Sequence, residues 1–214
     1  MNTKNGKKLP DNGEKNMRDK ILDVASELFR KKGFDGTSMQ DIAGEVGILK
    51  GSIYYSFSSK NEIIREVLEK GIEPVVRSGE EIIKKELPPR KMLKELINNH
   101  LRYIMEHNDT LVIFFQERGK ISHAETDRYL HNRNRYEGMF RSVLEKGIET
   151  GEFNQKIDAS LTTFAILGMC NWIIQWYNPK GPKSAEEIIE HMLYLICDLM
   201  LTKIESPCYT DVQG

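Results

Sequence analysis

Apolar residues along this chain recur three and four places apart from Met17 almost to Leu201, and no stretch alternates β-branched residues at every second place. A period near 3.6 lines one stripe of a helix, whereas a half-buried strand needs a period of two. The pattern therefore predicts an all-α fold. Ile21, Leu22, Ala25, Leu28 and Phe29 form the first stripe, with Gly33 placed to end that helix. Thr37 and Gln40 have capping-box spacing and open a short helix with Met39, Ile42, Ala43 and Val46 on one side. Gly47 permits a sharp turn into a second short helix, Lys50 to Phe57. Ser59 with Glu62 then opens a longer helix carrying Ile63, Ile64, Val67 and Leu68, which runs past Pro74.

Pro88-Pro89 is the expected break between domains. Beyond it, helices are predicted over 90–106, 109–118, 122–149, 158–177 and 184–203. Ser122/Glu125 and Ser184/Glu187 repeat the capping-box spacing, and Asp158 suits an N-cap. The organisation read from this is a disordered polar tail over 1–16 and a helix-turn-helix unit over 17–62, whose connecting helix reaches about 86. A second helical domain spans 87–206, and 207–214 form a flexible end.

Composition excludes several classes. No apolar run among the 214 residues approaches the roughly 18–20 needed to cross a membrane. The N-terminal lysines have no apolar stretch behind them, so no secretory signal is expected and the protein reads as cytoplasmic, with no membrane partner. Cys170, Cys197 and Cys208 include no CxxC, which argues against a disulfide framework or a zinc site; no metal and no cofactor are expected. There is no GxSxG, HExxH, P-loop or GxGxxG, so an enzyme is not expected. Cys170, in an apolar helix, reads as a packing thiol. His100 and His107 are two helical turns apart but lack an acidic or cysteine partner, and His123, His131 and His191 stand alone. The first 70 residues carry a net charge of +2 and the rest −3, a hint about partners too small to indicate nucleic acid by itself.

The segment 17–62 carries the functional signal. Two short helices joined by a glycine turn match a helix-turn-helix, in which the second helix enters the major groove. Here that helix is Lys50-Gly-Ser-Ile-Tyr-Tyr-Ser-Phe57. Lys50 brings a cation to its start, Gly51 permits close approach, and Ser52 can reach a base or phosphate. Tyr54 and Tyr55 present flat rings with polar tips, and Ile53 and Phe57 are spaced to anchor the helix inward. Thr37 and Lys60, at two helix N-termini, are placed for phosphates. A lone helical lysine or tyrosine is usually a surface residue, and such helix pairs also occur in proteins that never touch DNA, so these residues alone leave both readings open.

The run Ile21-Leu-Asp-Val-Ala-Ser-Glu-Leu-Phe29, Lys32-Gly-Phe-Asp-Gly-Thr-Ser38, Asp41-Ile-Ala43, Val46-Gly-Ile48, Lys50 to Phe57 and Ser59-Lys60 resembles the N-terminal domain of TetR-family transcriptional regulators. The resemblance implies a homodimeric repressor whose C-terminal helical domain binds a small molecule and moves the DNA-reading heads. It implies base reading by Lys50, Gly51, Ser52 and Tyr54, and phosphate contacts by Thr37, Tyr55 and Lys60. Two positions depart from the family's pattern. Leu49 stands where Ser or Thr is usual, which removes a cap worth about 1 kcal/mol, and Ser56 stands where His is usual.

The second domain says less. Segment 158–177 is apolar nearly all round, and 185–203 is similarly rich, so both are expected to be covered on several sides. The resemblance implies that 158–177 and 184–203 pair with those of a second subunit in a homodimer. Phe114, Phe115, Gln116 and Arg118, then Arg128, Arg133, Arg135, Tyr136 and Phe140, then Trp172, Trp176 and Tyr177 group aromatics with cations. Such a set suits a cavity for an amphipathic anion, although aromatics at helical spacing are usually core. The stretches Glu117-Arg-Gly119, Arg133 to Glu137, Gly147, Gly151-Glu-Phe153 and Leu167 to Gly181 are similar to TetR-type regulators of fatty-acid and sterol-side-chain breakdown, whose effectors are acyl-CoA thioesters. That likeness implies an acyl tail among Phe114, Met169, Trp172 and Trp176, with Arg118, Arg133 or Arg135 meeting the CoA phosphates or the thioester end, and Tyr136 among the ligand-binding residues. Two alternatives stay open: an efflux-type repressor in which Glu117 and Glu137 help hold a cationic or aromatic drug, and a helical interaction module that does not bind DNA.

Overall fold

The computed structural model describes residues 12–106, 112–113 and 123–202. In order they form α1 (Asn12–Lys32), α2 (Met39–Val46), α3 (Lys50–Ser56), α4 (Lys60–Ile83), α5 (Pro89–Glu106), α6 (His123–Glu149), α7 (Ala159–Trp172) and α8 (Ala185–Leu193). A tight turn, Ile173–Gln175, extends α7, and widened π-type turns, Tyr194–Met200, extend α8. The fold is all-helical, and no helix among the described residues is long and apolar enough to cross a membrane. The chain divides into two compact units: Met1–Gly71 with Asp109–Tyr129, and Ile72–Asn108 with Leu130–Gly214.

In the first unit α1 buries Ile21, Leu22, Ala25, Leu28 and Phe29 and packs against α2, which buries Met39, Ile42, Ala43 and Val46. Gly33 and Gly47 end these helices with φ of 74° and 83°, a region a Cβ disfavours. The Gly47 N–H bonds the Ala43 and Gly44 carbonyls, and the Lys20 ammonium donates to the Val46 carbonyl at 3.0 Å, where the α2 dipole is negative. The cap of α2 differs from the Thr37/Gln40 expectation by one residue. Ser38 Oγ accepts from Asp41 N–H, and the Asp41 carboxylate accepts from Ser38 N–H at 2.8 Å. The α4 entrance is offset too: Ser59 Oγ accepts from Glu62 N–H, but the Glu62 carboxylate reaches Ser58 rather than Ser59.

In the second unit α5 packs against α7, α8 and the turns that extend each. Leu93, Leu96, Ile97 and Leu101 are fully buried. The Asp158 cap and the Ser184/Glu187 capping box form as spaced. A Cβ on Gly147 would lie 2.1 Å from the ring of buried Phe153, so the close fit of that ring requires a glycine. Two expectations are corrected. Helix α1 begins at Asn12, so 12–16 belong to it rather than to a disordered tail. The regular helices within 158–177 and 184–203 stop at Trp172 and Leu193 and change pitch. Within one chain, the face of α7 carrying Leu161, Phe164 and Trp172 is exposed. Ser122 of the expected Ser122/Glu125 pair, most of 109–118 and Cys208 lie outside the described residues.

The second unit also buries a polar residue. His100 on α5 is 6% exposed; its Nε2 lies 3.1 Å from Asn171 Oδ1, which can only accept, so the ring proton sits on Nε2. The ring stacks on Tyr136 (centroids 5.6 Å apart) and meets the edge of Phe140. Burial pushes the imidazole down to about 4, against which the Asn171 bond acts only partly. The folded state thus disfavours a proton that the unfolded state binds near 6.5. Stability is retained above 6.5 and falls by about 1.4 kcal/mol per pH unit toward 4. We expect thermal melts between pH 7 and 4.5 to show this slope, and His100→Gln to lose it; an unchanged slope in the variant would place the titrating group elsewhere.

Candidate DNA-reading site and effector domain

Helix α3 has seven residues, too few to hold its shape alone, and its N-cap residue Leu49 makes no side-chain cap bond. Its position comes from anchors. Ile53 is fully buried and Phe57, just after the helix, is 1% exposed. At the C-terminal end the Arg18 guanidinium donates to the Ser56 carbonyl and lies over the Phe57 ring, 4.0 Å from its centre. Two carboxylates of α4 hold that guanidinium in turn: Glu66 takes two of its N–H groups, one of them at 3.1 Å, and Glu62 accepts at 3.3 Å. One side chain of α1 thereby ties α3 to α4.

These anchors leave the other side of α3 outward. Lys50, Gly51, Tyr54 and Tyr55 are exposed and Ser52 is half-buried. Tyr55 is 93% exposed. A Cβ on Gly51 would meet nothing within 4 Å, so the chain's own packing does not require a glycine there. Lys60 is half-buried: its ammonium donates to the Phe34 and Thr37 carbonyls at 2.6 and 2.8 Å and lies over the Phe34 ring. The Thr37 expectation is corrected. Thr37 is 1% exposed and its hydroxyl donates to the Gly33 and Leu28 carbonyls, so it joins the α1 end to α2 and its side chain does not face a phosphate. Ser38, its neighbour, takes the cap that sequence spacing had given to Thr37. Arg18 was missed because its partners are 38 to 48 residues away, beyond any local spacing rule.

The expected effector residues do not converge. Phe114 and Arg118 lie outside the described residues. Tyr136 is buried against His100 and Phe140, and Met169 is half-buried. Trp172 and Trp176 are 65% and 51% exposed, which corrects their assignment to an interior cavity. Trp172, at the end of α7, faces outward because Thr163, Ile166, Leu167 and Cys170 take the side toward the core. Arg133 pairs with Glu137 at 3.2 Å. Arg135 pairs with Glu80 at the edge of an open groove of about 470 Å³ lined also by Ile83, Lys84 and Met139. Cys170 is buried, and burial pushes its thiol up to about 12, so it is a packing residue at neutral pH.

A glycine turn between two short helices, with the second anchored inward and its polar side outward, is the architecture of a helix-turn-helix DNA-binding protein. Residues 21–67 match the family described as bacterial regulatory proteins, tetR family, and 86–200 match the tetracyclin repressor-like C-terminal domain. This chain belongs to the TetR family of transcriptional regulators, proteins that bind operator DNA, dimerise and take small-molecule effectors, and it is a regulator rather than an enzyme. It is 28% identical over 181 residues to the HTH-type transcriptional repressor KstR2 of Mycobacterium tuberculosis, covering 84% of this chain and 90% of the relative. Among solved structures it is similar to the TetR-family regulator PfmR of Thermus thermophilus, at 34% identity, 83% and 97% coverage and a TM-score of 0.75. The structure of the ketosteroid transcriptional regulator KstR2 of M. tuberculosis superposes with a TM-score of 0.78 at 26% identity, covering 87% of this chain and 95% of that one.

Burial opposes ionisation of Glu62, but hydrogen bonds from Ser58 and Arg18 prevail and hold its carboxyl below the usual carboxylate range. A depressed folded value stabilises above about 4.5 and is lost as pH falls below it. Arg18→Met should cost about 1–3 kcal/mol at pH 7, since charged hydrogen bonds are lost and two carboxylates are left facing each other. The difference from wild type should shrink by pH 4. Melting temperatures at the two pH values test this; a variant as stable as wild type at pH 7 would show that Arg18 does not hold the head together.

Proposed function

We propose that this chain is a homodimeric repressor that reads operator DNA with α3 and is released from it by an acyl-CoA or related lipid effector bound within 87–206. The DNA reading rests on one observation: Ile53, Phe57 and Arg18 anchor α3 so that Lys50, Gly51, Ser52 and Tyr54 form its outer side. Those four residues would meet base edges, and Tyr55 and the remaining N–H of Lys60 would meet phosphates. The domain limits proposed above, 17–62 for reading and 87–206 for sensing, follow this division of work. Effector binding then favours a dimer whose two α3 helices no longer match successive major grooves.

The outward stripe of α7 supports the dimer. Leu161, Phe164, Trp172 and Trp176 are each more than half exposed, and Tyr194, Leu199 and Met200 are exposed on the turns after α8. Ala165 and Gly168 lie in the α7 stripe, and a Cβ on Gly168 would meet nothing within 4 Å. Large apolar residues around a small-residue centre let a second helix approach closely. Trp172→Arg should convert the dimer to monomer in sedimentation and weaken operator binding; a variant that stays dimeric would move the interface elsewhere.

Likeness to KstR2, with one relative described as a ketosteroid regulator, supports a lipid-derived effector. Its apolar part would meet Tyr136 and Met169, and the arginines, Arg118 among them, would meet its phosphates. A thermal-shift panel of acyl-CoAs of graded length, free fatty acids, CoA alone and cationic dyes discriminates. A ligand at 100 times its Kd adds about 2.7 kcal/mol, which raises Tm by roughly 5–10 °C. A rise confined to acyl-CoAs supports the reading, and a rise confined to dyes overturns the effector part of it.

A further inference from the structure

Leu49 is 81% exposed at the start of α3. Its backbone has N-cap geometry, with φ −68° and ψ 144°, and its carbonyl accepts from the Ser52 N–H at 2.8 Å. A leucine cannot supply the oxygen that Ser, Thr, Asn or Asp would offer the first N–H groups of the helix, so the position forgoes a local cap. It gains nothing from the chain's own interior either. An exposed leucine by itself needs no explanation. Here the place gives it meaning: the N-terminal residues of a recognition helix are the ones that meet base edges, and the adjoining Lys50 and Gly51 are exposed on that same end.

The major-groove edges of guanine, adenine and cytosine offer only hydrogen-bond donors and acceptors, whereas thymine adds a C5 methyl group. A leucine pressed on donors and acceptors displaces their water and returns no hydrogen bond. Pressed on a methyl group it removes apolar surface from water. The neighbouring Lys50 ammonium and Ser52 hydroxyl are equipped for polar edges, so the three side chains divide the groove between them. We infer that Leu49 is a specificity-determining residue that reads a thymine methyl in each operator half-site. This rests on α3 entering the major groove.

The test uses the full chain. Operators are selected from random duplex DNA with wild type and with Leu49→Ala, and thymine at the enriched position is then replaced by deoxyuridine, which removes only the methyl group. Wild type should enrich thymine at one position per half-site. It should bind about fourfold more weakly when one half-site carries deoxyuridine, the loss of one buried methyl contact. Leu49→Ala should lose the enrichment and bind both duplexes equally. Leu49→Ser, which regains a cap, should likewise be blind to the methyl group, separating helix stability from base reading. A wild type indifferent to deoxyuridine, or an alanine variant that still discriminates, overturns the assignment; equal weakening of the variant on both duplexes places Leu49 on sugar rather than base and overturns it too. If wild type enriches no sequence, the DNA reading of α3 fails, and this inference fails with it.

Discussion

The Arg18 guanidinium is the interaction on which the DNA-reading unit depends. A seven-residue helix without a side-chain cap has little stability of its own, so its geometry must come from what holds it. Arg18 satisfies the C-terminal Ser56 carbonyl, covers Phe57 and is fixed by Glu62 and Glu66 on the next helix. A lysine would bring the same charge but not a planar fork able to span two carboxylates and a carbonyl while sitting over a ring. Because α3 is held from its inner side and its far end, its outer residues are free of structural duty. Tyr55 can then be almost wholly exposed, and Leu49 can occupy a capping position without capping.

The second unit meets a different constraint. Its α5 is apolar along most of one side, yet places His100 in the core, where a bond to Asn171 and stacking on Tyr136 hold the ring. A neutral imidazole there costs less than a charged one, and for that reason its proton affinity falls. The unit also leaves large apolar side chains of α7 facing water while small residues sit among them. A helix apolar on nearly every side is finished only when something covers its outer stripe, and a second copy of the same chain is the partner the proposed function requires.

Residue patterns that act within one turn were legible before the structure. The stripes of α1, α2 and α5, the left-handed glycines 33 and 47, the Asp158 cap and the Ser184/Glu187 box all depend on neighbours three or four places away. Thr37 shows the limit. Two adjacent hydroxyl residues, Thr37 and Ser38, both precede an apolar stripe, and only packing decides which one points at the helix and which at the interior. Trp172 and Trp176 show another. Helical spacing says that aromatics share a face but not whether that face meets a cavity or water.

The sequence by itself determined the all-helical class, the glycine turn between α2 and α3, the inward anchors Ile53 and Phe57, and the family. The first three rest on periodicity and backbone conformation, which are local properties of the chain, and the family rests on the resemblance of residues 21–60 to the TetR pattern. Only the tertiary structure decided that Arg18 ties three helices together, that Lys60 bonds the carbonyls of Phe34 and Thr37, and that Arg135 is paired with Glu80. A charged side chain finds its partner through the packing of whole helices. Most of these partners lie tens of residues away, and no spacing rule within one helix reaches that far.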